Sequence, residues 1–166
     1  IGSINCIHNF NGRLVGNNTD WFGFAKALES FPDFESVVII GSGGVVPAIT
    51  YYIDTRVSYP VNIIGRNLGD SKKIGTSLHD ISGFNFKARN YLIINTIPHH
   101  SKIDWYNIVD SIKGDVACAM DLNYHLKATK FLNYFNSSVN VKNGLDMLIH
   151  QALMSIDIWY DKNLSI

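Results

Sequence analysis

The chain has 166 residues, of which 46% are hydrophobic and 17% charged, with a formal net charge of +0. That length and apolar content suit one domain with a real core. Without a concentrated Lys/Arg footprint nucleic acid is excluded as a partner, and no apolar run reaches the ~18 residues of a membrane span. Charged residues are fewer than the usual quarter, so part of the surface is expected to lie against a partner or another domain.

Residues 3–8 (SINCIH) and 13–15 (RLV) flank the turn signal NFNG and predict a hairpin. The chain begins with Ile1 rather than Met, and IGSINCI is strand-like from its first residue. The expectation is therefore that an N-terminal portion is absent. Cys6 and Cys118 are far apart and form no CxxC, which fits two reduced cysteines in a cytoplasmic protein. From Asp20, the apolar positions Trp21, Phe24, Ala25 and Leu28 follow helical spacing, and Phe31-Pro32 ends the pattern.

VVII (37–40) is short, apolar and β-branched, as a strand buried on both faces should be. A glycine turn follows, then a helix from VVPAITYYI. VNII (61–64), YLIIN (91–95) and VACAMDL (116–122) predict further buried strands. Leu126–Phe135 is expected to be helical, 139–141 a short strand, and 143–160 a helix with an apolar stripe at 145, 148, 149, 152, 153, 156 and 159. Alternating strands and helices imply a parallel sheet covered on both faces, in a Rossmann-like, doubly wound α/β fold.

IIGSGGVVPA sets Gly41, Ser42, Gly43 and Gly44 between a strand and a helix. Glycine permits the tight turn and lets backbone N–H groups come close to a pyrophosphate. The pattern is GxGGxxxA rather than GxGxxG, and similar turns serve flavin and methyl-donor sites; the strand–turn–helix context favours a dinucleotide. An NAD site usually carries an acid about 20 residues on. Here the second strand ends in Gly65-Arg66-Asn67, and Arg66 is placed to fork onto a 2′-phosphate, so the expected cofactor is NADP.

His99-His100 follow Asn95-Thr96-Ile97-Pro98 at the C-terminal end of a strand. Adjacent histidines on a strand diverge and no nearby carboxylate completes a ligand set, so no metal is expected. Ser42 has no GxSxG around it, which leaves nucleophilic hydrolysis unsupported. Tyr124 stands on the ligand-binding edge, as a binding residue or a packing one.

Six segments in order resemble the shikimate dehydrogenase family: IGSINCI, GNNTDWFGF, IIGSGGVVPA, INTIP, DLNY with Thr129, and NGLDMLIHQA. The resemblance covers nearly the whole chain and corresponds to the C-terminal two-thirds of the family. It implies reversible NADP-dependent oxidation of shikimate to 3-dehydroshikimate, on the route to aromatic amino acids. On that resemblance Asp20 binds substrate hydroxyls and shares proton transfer with a lysine. Asn5, Tyr124 and Gln151 match substrate positions, while Gly41, Ser42, Gly43, Gly44, Arg66, Asn95 and Gly144 match cofactor positions.

Departures accompany it. Cys6 replaces a Thr, Ile97 a Thr or Ser, Leu126 a Pro, and His99-His100 an apolar-Gly pair. The family's N-terminal domain, with its catalytic lysine, has no match in these residues. Residues 1–19 are therefore expected to be a hinge hairpin at the boundary with that domain, and 20–166 an NADP-binding domain inactive alone, its last helix packing back toward the absent half. A cofactor-binding module without turnover and an NAD-preferring quinate/shikimate relative are the alternatives. A homodimer is among the expected assemblies.

Overall fold

The computed structural model describes residues 1–65, 76–80, 86–102, 105–125 and 129–160. The chain opens with β1 (Cys6–Phe10) and β2 (Arg13–Asn17), an antiparallel pair in the register Cys6↔Asn17 to Phe10↔Arg13. Asn11 and Gly12 turn the hairpin with φ of 50° and 81°, the left-handed geometry that a two-residue loop needs to match strand twist. β1 starts three residues later than the sequence pattern suggests and both strands run two residues further, because Asn9 and Phe10 of the expected turn pair with Leu14 and Arg13 instead. Asn9 Oδ1 accepts the Gly12 N–H at 2.8 Å.

Helix α1 (Asp20–Leu28) follows and buries Gly23, Phe24 and Ala27. β3 (Ser36–Ile40) leads through the glycine turn into α2 (Val46–Tyr52), with Pro47 in its first turn, where no hydrogen bond is lost. The helix does not end at Ile53. It continues as a π-helical turn, Ile53–Val57, closed by Ser58 in the left-handed region.

β4 (Val61–Gly65) comes next, then β5 (Thr76–Asp80), which the sequence pattern did not reveal. β6 (Phe86–Asn95) is twice the expected length, and α3 (Trp105–Ser111) was also not foreseen. β7 is Ile112–Asp121 and β8 is Asn140–Asn143. The helix expected over 126–135 is corrected where it can be seen: only a 3₁₀ turn, Leu132–Tyr134, forms there, and residues 126–128 lie outside the described residues. α4 (Leu145–Tyr160) closes the chain as expected.

β3 to β8 form one parallel sheet in the order β5-β4-β3-β6-β7-β8. This is the doubly wound Rossmann order, with its switch point between β3 and β6. Alternate side chains of the central strands face opposite layers. Val37, Ile39, Leu92 and Ile94 pack with Phe24, Ile49 and Met147; Val38, Ile40 and Ile93 pack with Ile108, Val109 and Phe131. Among the described residues, no helix is long and apolar enough to cross a membrane.

Only part of the stripe expected on α4 packs here, with Leu148, Ala152 and Leu153 half-buried. Leu145, Ile149, Ile156 and Trp159 are exposed, whereas Met147 and Ser155 are buried. The reason is on α1. A Cβ at Gly23 would collide with the Met147 carbonyl oxygen and stand 2.9 Å from Gln151 Cβ. The missing side chain lets the two helices meet along Met147, Gln151 and Ser155. Polar contacts across that seam, described below, select this face over the apolar one.

Candidate functional site

A cavity of about 360 Å³ opens at the C-terminal edge of the sheet, between Asn5 just ahead of β1, the start of α1, Val45 ahead of α2, α4 and the loops after β6 and β7. Asn5, Asp20, Thr96, Asn123, Tyr124 and Gln151 supply its polar groups, and Val45, Pro98, Leu122, Met147 and Leu148 its apolar wall, with Gly144 at the rim of α4. Ligand sites of doubly wound folds lie at this edge, and a mostly apolar pocket with a few convergent polar groups is the usual form of a small-molecule site.

One corner of the cavity is a side-chain network. Asn5 Nδ2 lies 2.8 Å from Asp20 Oδ1, 3.0 Å from Thr19 Oγ1 and 3.3 Å from Gln151 Oε1. Asn5 Oδ1 accepts the Thr19 backbone N–H at 2.8 Å. Thr19 Oγ1, fully buried, also lies 3.2 Å from Gln151 Oε1 and 3.0 Å from Ser155 Oγ. Residues from three elements far apart in the chain are thus locked together beneath the Asp20 carboxylate.

Asp20 has two roles. It opens α1, where an acid is favoured by the helix dipole, and its carboxyl faces the cavity. Burial pushes its pKa above the usual 3.8, and the Asn5 hydrogen bond partly offsets that rise. A half-buried carboxyl held closer to neutral pH is suited to exchanging a proton with a bound hydroxyl. Among the described residues only Oδ1 is engaged by a side chain.

The glycine turn borders the same edge. Gly41 has φ of +113°, and a Cβ there would collide with Thr96 Oγ1. The Thr96 hydroxyl and its N–H both reach Ile40 O at 2.9 Å, tying the turn to the loop after β6. Gly43 and Gly44 differ: both are exposed, and nothing lies within 4 Å of where their Cβ atoms would stand. The protein's own packing does not demand glycine there, so the space above them is free for a close-approaching ligand. Ser42 is exposed beside them.

The sequence-predicted residues separate into groups. Asn5, Asp20, Tyr124, Gly144 and Gln151 all line the cavity. Gly41, Ser42, Gly43 and Gly44 form the adjoining turn. Asn95 is buried beneath the wall, bonded to Asp121 and to the backbone of Ile97. Arg66 lies outside the described residues. Gly144 is required by packing, since a Cβ would collide with Leu122 O. Sequence reasoning missed Thr19, Ser155 and Asn123. Thr19 and Asn123 stand inside the quoted segments NNTD and DLNY, whereas Ser155 had no signal of its own.

The rings of Tyr124, His125, His99 and His100 form a contiguous row, with neighbouring centroids 4.5, 5.2 and 5.6 Å apart. Among the described residues, no three His, Cys, Asp or Glu side chains are grouped to hold a metal ion.

Over 177 aligned residues the chain is 30% identical to the shikimate dehydrogenase (NADP(+)) of Methanococcus maripaludis, covering 96% of this chain and 63% of that protein. In structure it is similar to the chorismate mutase/shikimate 5-dehydrogenase fusion protein from Clostridium acetobutylicum, with a TM-score of 0.75 and 29% identity over 96% of this chain and 61% of that one. It is also similar to shikimate dehydrogenase 1 from Peptoclostridium difficile, with a TM-score of 0.73 and 27% identity over 99% of this chain and 62% of that one. No family model matches the chain. The chain spans about 63% of the length of the curated relatives it matches. Along nearly its whole length the chain is thus similar, in sequence and in fold, to shikimate dehydrogenases.

Proposed function

We propose that this chain supplies the NADP site and one wall of the substrate site of a shikimate dehydrogenase. The observation that carries the cofactor reading is the open space over Gly43 and Gly44 at the switch point of the sheet. Gly41, Ser42, Gly43 and Gly44 would hold the pyrophosphate, and Thr96 and Leu122 the nicotinamide end. When bound, NADP supplies hydride acceptor or donor chemistry at its nicotinamide.

The chain's own residues do the rest. Asn5 and Gln151 present amides to substrate hydroxyls, held in place by Thr19 and Ser155. Asp20 accepts a hydroxyl hydrogen bond and holds the proton that leaves as shikimate is oxidised. Met147, Leu148 and Pro98 exclude water from the reacting carbon. Holding the two reactants in line is the main contribution expected of such a site. A substrate domain elsewhere in the intact protein would close the cavity and bring the lysine that partners Asp20. A cytoplasmic location belongs to this reading and is supported by two free, buried cysteines.

Fluorescence titration of the chain with NADPH and NADH tests the cofactor site. Gly43→Leu should keep the melting temperature within a degree or two, because its side chain enters open space, while NADPH binding falls at least tenfold, about 1.4 kcal/mol. Equal affinity in the variant would overturn the reading. The choice of NADP over NAD is supported by the place of Arg66 in the sequence. Arg66→Ala should weaken NADPH by roughly tenfold or more and leave NADH nearly unchanged, since a guanidinium fork on a 2′-phosphate is a charge-assisted contact. Equal losses for both cofactors would remove that assignment.

A further inference from the structure

We propose, resting on the cofactor reading above, that Asp121 is a positioning residue: one oxygen of its carboxylate orders both loops that wall the cofactor side of the cavity. Asp121 ends β7 and is 1% exposed. Its Oδ1 accepts Asn95 Nδ2 at 2.9 Å, Asn123 Nδ2 at 2.7 Å and the Asn123 backbone N–H at 3.0 Å. Among the described residues it has no ion-pair partner.

A buried carboxylate met, among the described residues, only by amides is a poor choice for stability alone, because apolar residues of similar volume often do as well or better in place of buried charged groups. What it organises is specific. With both asparagines oriented, Asn95 Oδ1 accepts the Ile97 N–H at 2.8 Å, Asn123 Nδ2 donates to Ile97 O at 2.9 Å, and Asn123 Oδ1 accepts the His99 N–H at 3.0 Å. Three backbone groups of the loop after β6 are thereby fixed by two side chains, and both side chains answer to Asp121. Thr96 and Pro98 of that loop line the cavity, as do Leu122, Asn123 and Tyr124 of the loop after β7. Thr96 in turn bonds to Ile40 O just before the glycine turn. The carboxylate therefore sits one strand from the switch point, where one misplaced loop would spoil the seat of a ligand it never touches.

The geometry also specifies why an aspartate is used. Three donors converge on one oxygen, and a charged acceptor holds each about twice as strongly as a neutral one. An asparagine at this place has the right shape but offers only an amide carbonyl, and its NH₂ group would face donors if the side chain turned over.

The test is Asp121→Asn in the chain as it stands, read by NMR hydrogen exchange and by NADPH titration, with Asp121→Ala as a second variant. The backbone N–H groups of Ile97, His99 and Asn123 should exchange about tenfold faster or more, while those of β3 and β4 keep their protection, and NADPH should bind at least tenfold more weakly. Asp121→Ala should show the same pattern, more strongly. Faster exchange spread evenly over the sheet would mean a general stability role and overturn the proposal. So would local loosening with unchanged NADPH affinity. If the wild-type chain binds no NADPH, the cofactor reading falls and this inference falls with it; if the wild type binds and the variants bind equally, only this inference falls.

Discussion

On the function proposed above, Asp20→Asn, assayed together with the substrate domain that reading calls for, should lower kcat for shikimate oxidation by about 10²–10⁴-fold, the usual contribution of a positioned proton-transfer group, while NADPH affinity stays within about twofold. The separation follows from geometry. Asp20 belongs to the Asn5–Thr19–Gln151 corner of the cavity, and among the described residues its carboxylate is bonded by the Asn5 side chain and not by the glycine turn. Asparagine keeps an oxygen for the Asn5 amide but cannot take a proton. A variant that retains kcat within threefold would remove Asp20 from the reaction.

The same substitution has a stability signature. Burial raises the Asp20 pKa in the fold above 3.8, its value in an unfolded chain. Between 3.8 and the raised value, the folded state keeps a proton that the unfolded state releases. Stability is therefore fully present below 3.8 and declines as pH rises through that window. Asp20→Asn should flatten this part of the profile and leave the protein at least as stable near neutral pH. Denaturant unfolding at several pH values reads the difference; parallel profiles for the two proteins would show that the carboxyl is not held in this state.

The second large effect is expected at Gly23. Gly23→Ala sets a methyl group against the Met147 carbonyl and the Gln151 backbone, neither of which can turn away as a flexible side chain would. Overpacking of this kind costs roughly 1–3 kcal/mol, or about 2–12 °C in Tm for a domain of this size. The displaced α4 should carry Gln151 away from Asn5, so that on the function proposed above shikimate affinity falls along with stability. Thermal melting with and without shikimate tests both parts. An unchanged Tm would mean that α1 and α4 do not meet through Gly23.

Much of this architecture was legible in residue order. VVII, VNII, YLIIN and VACAMDL are β-branched or apolar runs that can only be satisfied with both faces covered, so the central strands could be read directly. Asp20 and the glycine turn were readable because each must sit at an element boundary. β5 was not legible: TSLHD has too few apolar residues to stand out, and an edge strand needs only one neighbour to form. α3 was hidden for a related reason, since seven residues give barely two turns of periodicity. The expected helix over 126–135 failed in its described part because Thr129 Oγ1 accepts the Leu132 N–H, a local bond that favours a short turn.

By itself the sequence determined the alternation of strands and helices, the glycine turn at a strand end and the polar segment that ends in Asp20, because these depend on local sterics and on period. Only the tertiary structure decided which face of α4 packs inward. Periodicity marks the apolar stripe. The buried face is chosen instead by the close approach at Gly23 and by the hydroxyl and amide partners of Thr19, Gln151 and Ser155. Likewise, no spacing in the chain sets Asn95 against Asp121, 26 residues away. Their pairing exists because β6 and β7 lie side by side in register, with Asn95 opposite Asp121.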